Sequence, residues 1–238
     1  MDHAKDPVYA ALTYRETGHC RFVDLSGRPG DAEALFVELA EVCDRLAWDE
    51  DTRVIVLSFN GESVSPDRPE RAERASPVDP VARLKQPVIA AIRGDATDIG
   101  LELALACDFR IAVDTARFGF PQIRTGRMPS SGGTQRLPRL IGQAKALHLI
   151  LTGELMDAKE AQRSGLVHRV VPSSALAATA EEMAGAMSEK SPLSLSYAKE
   201  ALYSGRDLTL DQGLKMELDL YLLLFTTADR TEGVTAFR

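Results

Sequence analysis

Two hydrophobic periods alternate along the first half of this chain. Val88–Ile92 (VIAAI) is a short, unbroken apolar run, and Val54–Phe59 (VIVLSF) is apolar at all but Ser58; both are rich in β-branched residues. Such runs predict strands buried on both faces. Between Asp31 and Trp48 the apolar positions Leu35, Phe36, Leu39, Val42, Cys43 and Leu46 recur at helical spacing, with Asp31 as the candidate N-cap. Val8–Leu25 predicts two short strands hinged at Thr17-Gly18. Strand, helix and strand in succession indicate an α/β fold. After Val167–Val171, one further strand stopped by Pro172, the pattern turns helical: Ser174–Met187, Pro192–Tyr203 and Leu210–Phe225. In the last of these, Leu214, Leu218, Tyr221, Leu222 and Phe225 form a wide apolar stripe, which predicts a core-facing helix.

One position breaks the pattern. Gly94 closes the Val88–Ile92 strand, and the polar turn Asp95–Thr97 leads into an apolar helix expected over Gly100–Ala106, with Thr97 or Asp98 as its N-cap. Glu102 is the only charge in that helix. A carboxylate in a first turn suits the helix dipole, yet packing does not ask for it. Farther on, Ser130-Ser131-Gly132-Gly133 leads into a helix at Thr134–Ile141. A serine before glycine invites a nucleophile reading and hence a hydrolase. The G-x-S-x-G elbow is absent, however, and the serines read more simply as capping residues. Gly94–Gly100 lacks the middle glycine of a dinucleotide loop. Asn60–Pro80, cut by Pro66, Pro69, Pro77 and Pro80, reads as an irregular connector, or as a pocket wall bringing Arg68, Arg71 or Arg74 to a phosphate.

Composition narrows the classes. With 238 residues, 45% hydrophobic and 26% charged, the chain has enough apolar material for a core without staples. A net charge of −7 with no basic run excludes a nucleic-acid footprint, so any polyanionic ligand needs locally placed cations. Cys20, Cys43 and Cys107 are an odd, scattered set, which points to reduced thiols and a cytoplasmic setting. His3, His19, His148 and His168 have no metal-ligand spacing. No window approaches a membrane span.

Several motifs in order resemble the crotonase superfamily of enoyl-CoA hydratases and isomerases: KQPVIAAI (Lys85–Ile92), Gly94, Gly100, ELALACD (Glu102–Asp108), Phe118-Gly119, Pro121 and GGTQRL (Gly132–Leu137). The likeness continues through LTGELMDAKEAQRSGLVHRVVP (Leu151–Pro172) and FTTADRTEGVTAF (Phe225–Phe237). It implies an α/β fold of stacked ββα units in a spiral core, residues 1–172. A C-terminal helical region, residues 173–238, would mediate trimers that pair into hexamers. The substrate implied is an acyl-CoA thioester, with coenzyme A part of the substrate and no separate cofactor.

The resemblance also assigns roles. The hydratases use two glutamates to add water to an α,β-enoyl thioester, at the positions of Glu102 and Gln122 here. A glutamine orients water but exchanges no proton at neutral pH. Glu102 is therefore expected to act as a single acid/base, compatible with double-bond migration, a restricted hydration or hydration of a cyclic dienoyl thioester. Backbone N–H groups of Ile99 and Arg68 correspond to the oxyanion hole. Relatives carry glycine at the Ile99 position, and the Asp67-Arg68-Pro69 segment departs from the family's Gly-x-Asp. Arg68, Asp98, Pro121 and Ser131 are the expected substrate-contacting residues, with Asp98 and Asp95 as further acids. Asp98 facing its own helix amides is the simpler reading; turned inward and ionised, it would repel the developing oxyanion. The alternative of another class is a catalytically silent acyl-CoA-binding or assembly protein, with an acyl-CoA hydrolase third.

Overall fold

The computed structural model describes residues 9–25, 32–59, 76 and 78–225. The hairpin β1 (Thr13–Thr17) and β2 (Cys20–Leu25) turns at Gly18, whose φ of 55° is one that glycine adopts without strain. Helix α1 (Ala32–Ala47) buries the predicted Leu35, Leu39, Val42, Cys43 and Leu46; its candidate cap, Asp31, lies outside the described residues. Strands β3 (Val54–Phe59) and β4 (Val88–Ile92) have the predicted bounds. A four-residue helix, α2 (Asp79–Ala82), precedes β4.

The chain then winds between two sheets. Strand β5 (Ala96–Thr97) leads into α3 (Asp98–Ala106), and β6 (Phe109–Val113) and β7 (Arg117–Gly119) follow. A 3-10 turn at Pro121–Thr125 precedes α4 (Gly133–Ile141) and α5 (Gln143–Thr152). Strand β8 (Leu155–Asp157), α6 (Ala158–Arg163) and β9 (Arg169–Val171) complete the spiral. The larger sheet has the order β1-β2-β3-β4-β6-β9 and is parallel except at the opening hairpin. The smaller has the order β5-β7-β8. Chain neighbours β4 and β5 thus belong to different sheets, as do β6 and β7. From β4 onward the chain extends both sheets in turn, which makes the stacking a spiral rather than a flat wound sheet.

Two side chains, the buried Arg110 and the partly buried Asp108, fix the far end of α3. Arg110 is 4% exposed, and its guanidinium donates to the carbonyls of Ala104 (3.2 Å), Cys107 (2.7 Å) and Leu166 (2.6 Å). It thereby satisfies carbonyls that a helix C-terminus leaves without partners. Asp108 Oδ2 accepts from Val88 N–H (2.7 Å) and from Lys199 Nζ (2.7 Å). Lys199 sits on α8 (Pro192–Gly205), beyond α7 (Leu176–Ser188).

Helix α7 packs against β2, β3, β4 and β6, burying Leu176, Ala180 and Ala184. The stripe on α9 (Leu210–Leu224) departs from expectation. Leu214, Leu218, Tyr221 and Leu222 are each more than half exposed, and Leu220 is the only buried residue of the helix. α9 pairs with α8 rather than entering the core, so its apolar face points away from the chain that made it.

Candidate active site

Helix α3 begins at Asp98, two residues earlier than its hydrophobic pattern suggests. Thr97 occupies the N-cap position but makes no side-chain cap bond. Asp98 does not face its own helix amides either; Oδ1 accepts the backbone N–H of Gln122 at 3.1 Å. Its φ is +51°, the only positive φ among the described non-glycine residues. The left-handed conformation expected of a glycine at position 99 therefore falls one residue earlier, on an aspartate. Ile99 is 8% exposed, at the second helical position, where an N–H has no intrahelical acceptor and meets the positive end of the dipole.

One turn farther along, Glu102 is 2% exposed. Its Oε1 accepts N–H from Ser131 (2.6 Å) and Gly133 (2.8 Å), at the start of α4. The carboxylate thus sits at the N-terminus of a second helix, not of its own. A β carbon on Gly133 would lie 2.8 Å from Phe120, 2.9 Å from Pro129 and 3.1 Å from Glu102 Oε1, so glycine is what lets the two chains approach. Burial pushes the Glu102 carboxyl above its ordinary pKa. The N–H groups of Gly133, Ser131 and Ser130, and then the charge of Arg136, pull it partly back. Arg136 donates to Ser131 O at 2.8 Å, which braces the same loop.

Pro121 opens the 3-10 turn that carries Gln122, and both are half-buried. Ser131 is 2% exposed, and its Oγ is buried with no hydrogen-bond partner among the described residues. None of the described histidines serves it as a base: His168 Nδ1 accepts from Arg110 N–H (3.2 Å), His19 contacts Asp51 O (3.0 Å), and His148 faces Glu154 (2.9 Å). Asp95 is committed to Arg117, which approaches it at 2.7 Å through Nη2 and 2.9 Å through its backbone N–H. Among the described residues no group of His, Cys, Asp and Glu could hold a metal ion.

The structure therefore gathers Asp98, Ile99, Glu102, Pro121, Gln122 and Ser131 around the start of α3. Arg68, with Asp67, Pro69, Arg71 and Arg74, lies outside the described residues. Sequence reasoning missed the Gly133 amide, although the pair Gly132-Gly133 marked a close approach. It also missed Arg127, whose charge acts on Asp98.

A parallel sheet spiralling past a second, smaller one, with a buried glutamate on the helix that follows β5, is the arrangement expected of the crotonase superfamily. The family model described as enoyl-CoA hydratase/isomerase matches residues 61–238, and the chain belongs to that family. It is 38% identical to the (E)-benzylidenesuccinyl-CoA hydratase of Thauera aromatica over 95% of each chain. With the probable enoyl-CoA hydratase of Rhizobium meliloti it shares 49% identity over 66% of this chain, spanning 61% of that relative's length. The crystal structure of an enoyl-CoA hydratase from Bacillus anthracis superimposes with a TM-score of 0.88 at 37% identity, covering 96% of each chain.

Proposed function

We propose that this protein adds water across the C2–C3 double bond of an α,β-unsaturated acyl-CoA thioester, with Glu102 as acid/base. The observation that carries this is the buried Glu102 carboxyl, held by the Ser131 and Gly133 amides beside a helix start that offers a free N–H. Glu102 takes the proton of the attacking water. Negative charge moves to the thioester oxygen, which meets the N–H of Ile99 and, by the family resemblance, that of Arg68. One preorganised donor of this kind contributes about 3–4 kcal/mol to the transition state. Gln122 orients the water, and the unpartnered Ser131 hydroxyl offers it a further hydrogen bond. Pro121 and Asp98 line the acyl thioester, and the family resemblance adds Arg68 to that set. The chemistry needs no group beyond the protein, water and the CoA thioester.

A silent acyl-CoA binder is the second reading, favoured by the missing carboxylate at Gln122. The two separate on a panel of linear and cyclic enoyl-CoAs, followed by loss of enoyl-thioester absorbance. Turnover on one or more members is expected. Binding of CoA thioesters with no turnover on any would establish the silent binder instead.

The α8–α9 region, within residues 173–238, is proposed as the assembly surface of a homotrimer or a pair of trimers. The exposed Leu214, Leu218, Tyr221 and Leu222 support it, because contiguous apolar faces of this kind mark interaction sites. Light scattering on the full chain should give the mass of three or six copies; a monomer would remove this reading. A cytoplasmic setting is supported by Cys20, Cys43 and Cys107, all buried and unbridged. No described helix is long and apolar enough to cross a membrane.

A further inference from the structure

Asp98 is strained where it stands. Among the described non-glycine residues it alone has a positive φ, and such a conformation costs of the order of 1–3 kcal/mol for an L residue, least for Asp and Asn. A glycine would remove the strain. The aspartate puts a half-buried carboxyl one helical turn from Glu102 and bonds it to the main chain of Gln122, at 3.1 Å. Residue 122 is where the two-carboxylate scheme needs its second acid, and where this chain has none. Asp95, the other carboxylate nearby, is bound to Arg117.

Resting on the hydration reading above, we propose that Asp98 is the second acid of this site and supplies the proton that adds to C2. Glu102 accepts a proton from water as the water oxygen bonds to C3. The C2–C3 π pair moves to C1–C2, and the thioester oxygen becomes an enolate held at the start of α3. The neutral Asp98 carboxyl then gives its proton to C2: the enolate pair forms the C–H bond and the carbonyl returns. Glu102 passes the proton it took to the Asp98 carboxylate, restoring both groups with one water added. Desolvation pushes the Asp98 carboxyl up, the direction an acid requires, against the opposing pull of the Gln122 N–H and Arg127. Negative charge on a nearby enolate pushes it further the same way.

The test compares Asp98→Asn with Asp98→Asn/Gln122→Glu, with Glu102→Gln alongside. Asparagine still accepts the Gln122 N–H and tolerates positive φ, but it has no proton to exchange at neutral pH. A tethering role would therefore survive the change. The expected result is a fall in kcat of about 100-fold or more for Asp98→Asn with KM nearly unchanged, and at least tenfold recovery when Gln122→Glu restores a carboxyl. An unchanged melting temperature for Asp98→Asn would assign the loss to chemistry. Turnover that Glu102→Gln abolishes but Asp98→Asn leaves within threefold of wild type overturns the Asp98 role and keeps the hydratase reading. No turnover by the wild type on any enoyl-CoA overturns both.

Discussion

Glu102→Gln is expected to lower kcat on the preferred enoyl-CoA by about 10³-fold while leaving the protein at least as stable as wild type at pH 8. Both halves follow from the same geometry. A glutamine Oε1 accepts the Ser131 and Gly133 N–H groups as the carboxylate does, so the loop into α4 keeps its partners. What disappears is the exchangeable proton and, above neutrality, the burden of holding a charge at 2% exposure. The pH dependence has a defined sign. Because the folded state raises the Glu102 pKa, its contribution to stability is fully present below the ordinary glutamate value and is lost as pH rises through the raised one. The variant should lack that part of the slope. It should keep the part from Asp98 and Asp24, whose pKa values desolvation also raises. Thermal melts from pH 4 to 8 beside steady-state kinetics check both halves. A variant that loses its fold along with its activity would show that Glu102 is there to hold α3 to α4.

Legibility followed the length of each pattern. Strand β4 is apolar over its whole length and β3 at every position but Ser58, and their bounds could be read directly. Strands β5, β7 and β8 have two or three residues each, too short for any period to declare itself. The smaller sheet was accordingly invisible except through resemblance. Glu102 stood out as a lone charge among leucines, but its partners lie 29 and 31 residues away and are main-chain atoms, which no side-chain pattern reports. Asp98 was read as a cap because an aspartate before a helix usually is one. Its positive φ depends on where β5 hands over to α3, a matter of register that one residue's shift reverses. The α9 stripe shows a different limit: periodicity gives an apolar face but not what covers it.

Asp108→Ala should destabilise the fold by about 3–5 kcal/mol, because it strips a half-buried cation of its counter-charge. Asp108 and Lys199 have side-chain exposures of 11% and 14% and meet at 2.7 Å. Without the carboxylate, Lys199 Nζ keeps the Gln86 carbonyl (2.9 Å) and the Tyr203 ring face (6.0 Å), and the Val88 N–H at the start of β4 loses its 2.7 Å acceptor. Each kcal/mol moves the melting temperature of a protein this size by about 2–4 °C, so a drop of roughly 6–20 °C is expected. Asp108→Asn, which keeps an acceptor but not the charge, should fall between. Adding Lys199→Met to Asp108→Asn should recover part of the loss, because the unpaired charge is then gone as well. Full additivity of the two changes would mean that the pair does not couple α8 to the core. Coupling matters to the site because Asp108 directly follows the α3 C-terminus, which the Arg110 guanidinium clasps at Ala104 and Cys107. Loosening that end leaves Glu102, midway along the helix, fixed only by its bonds to the α4 amides. Asp108→Ala should therefore also lower kcat at temperatures well below its own melting point.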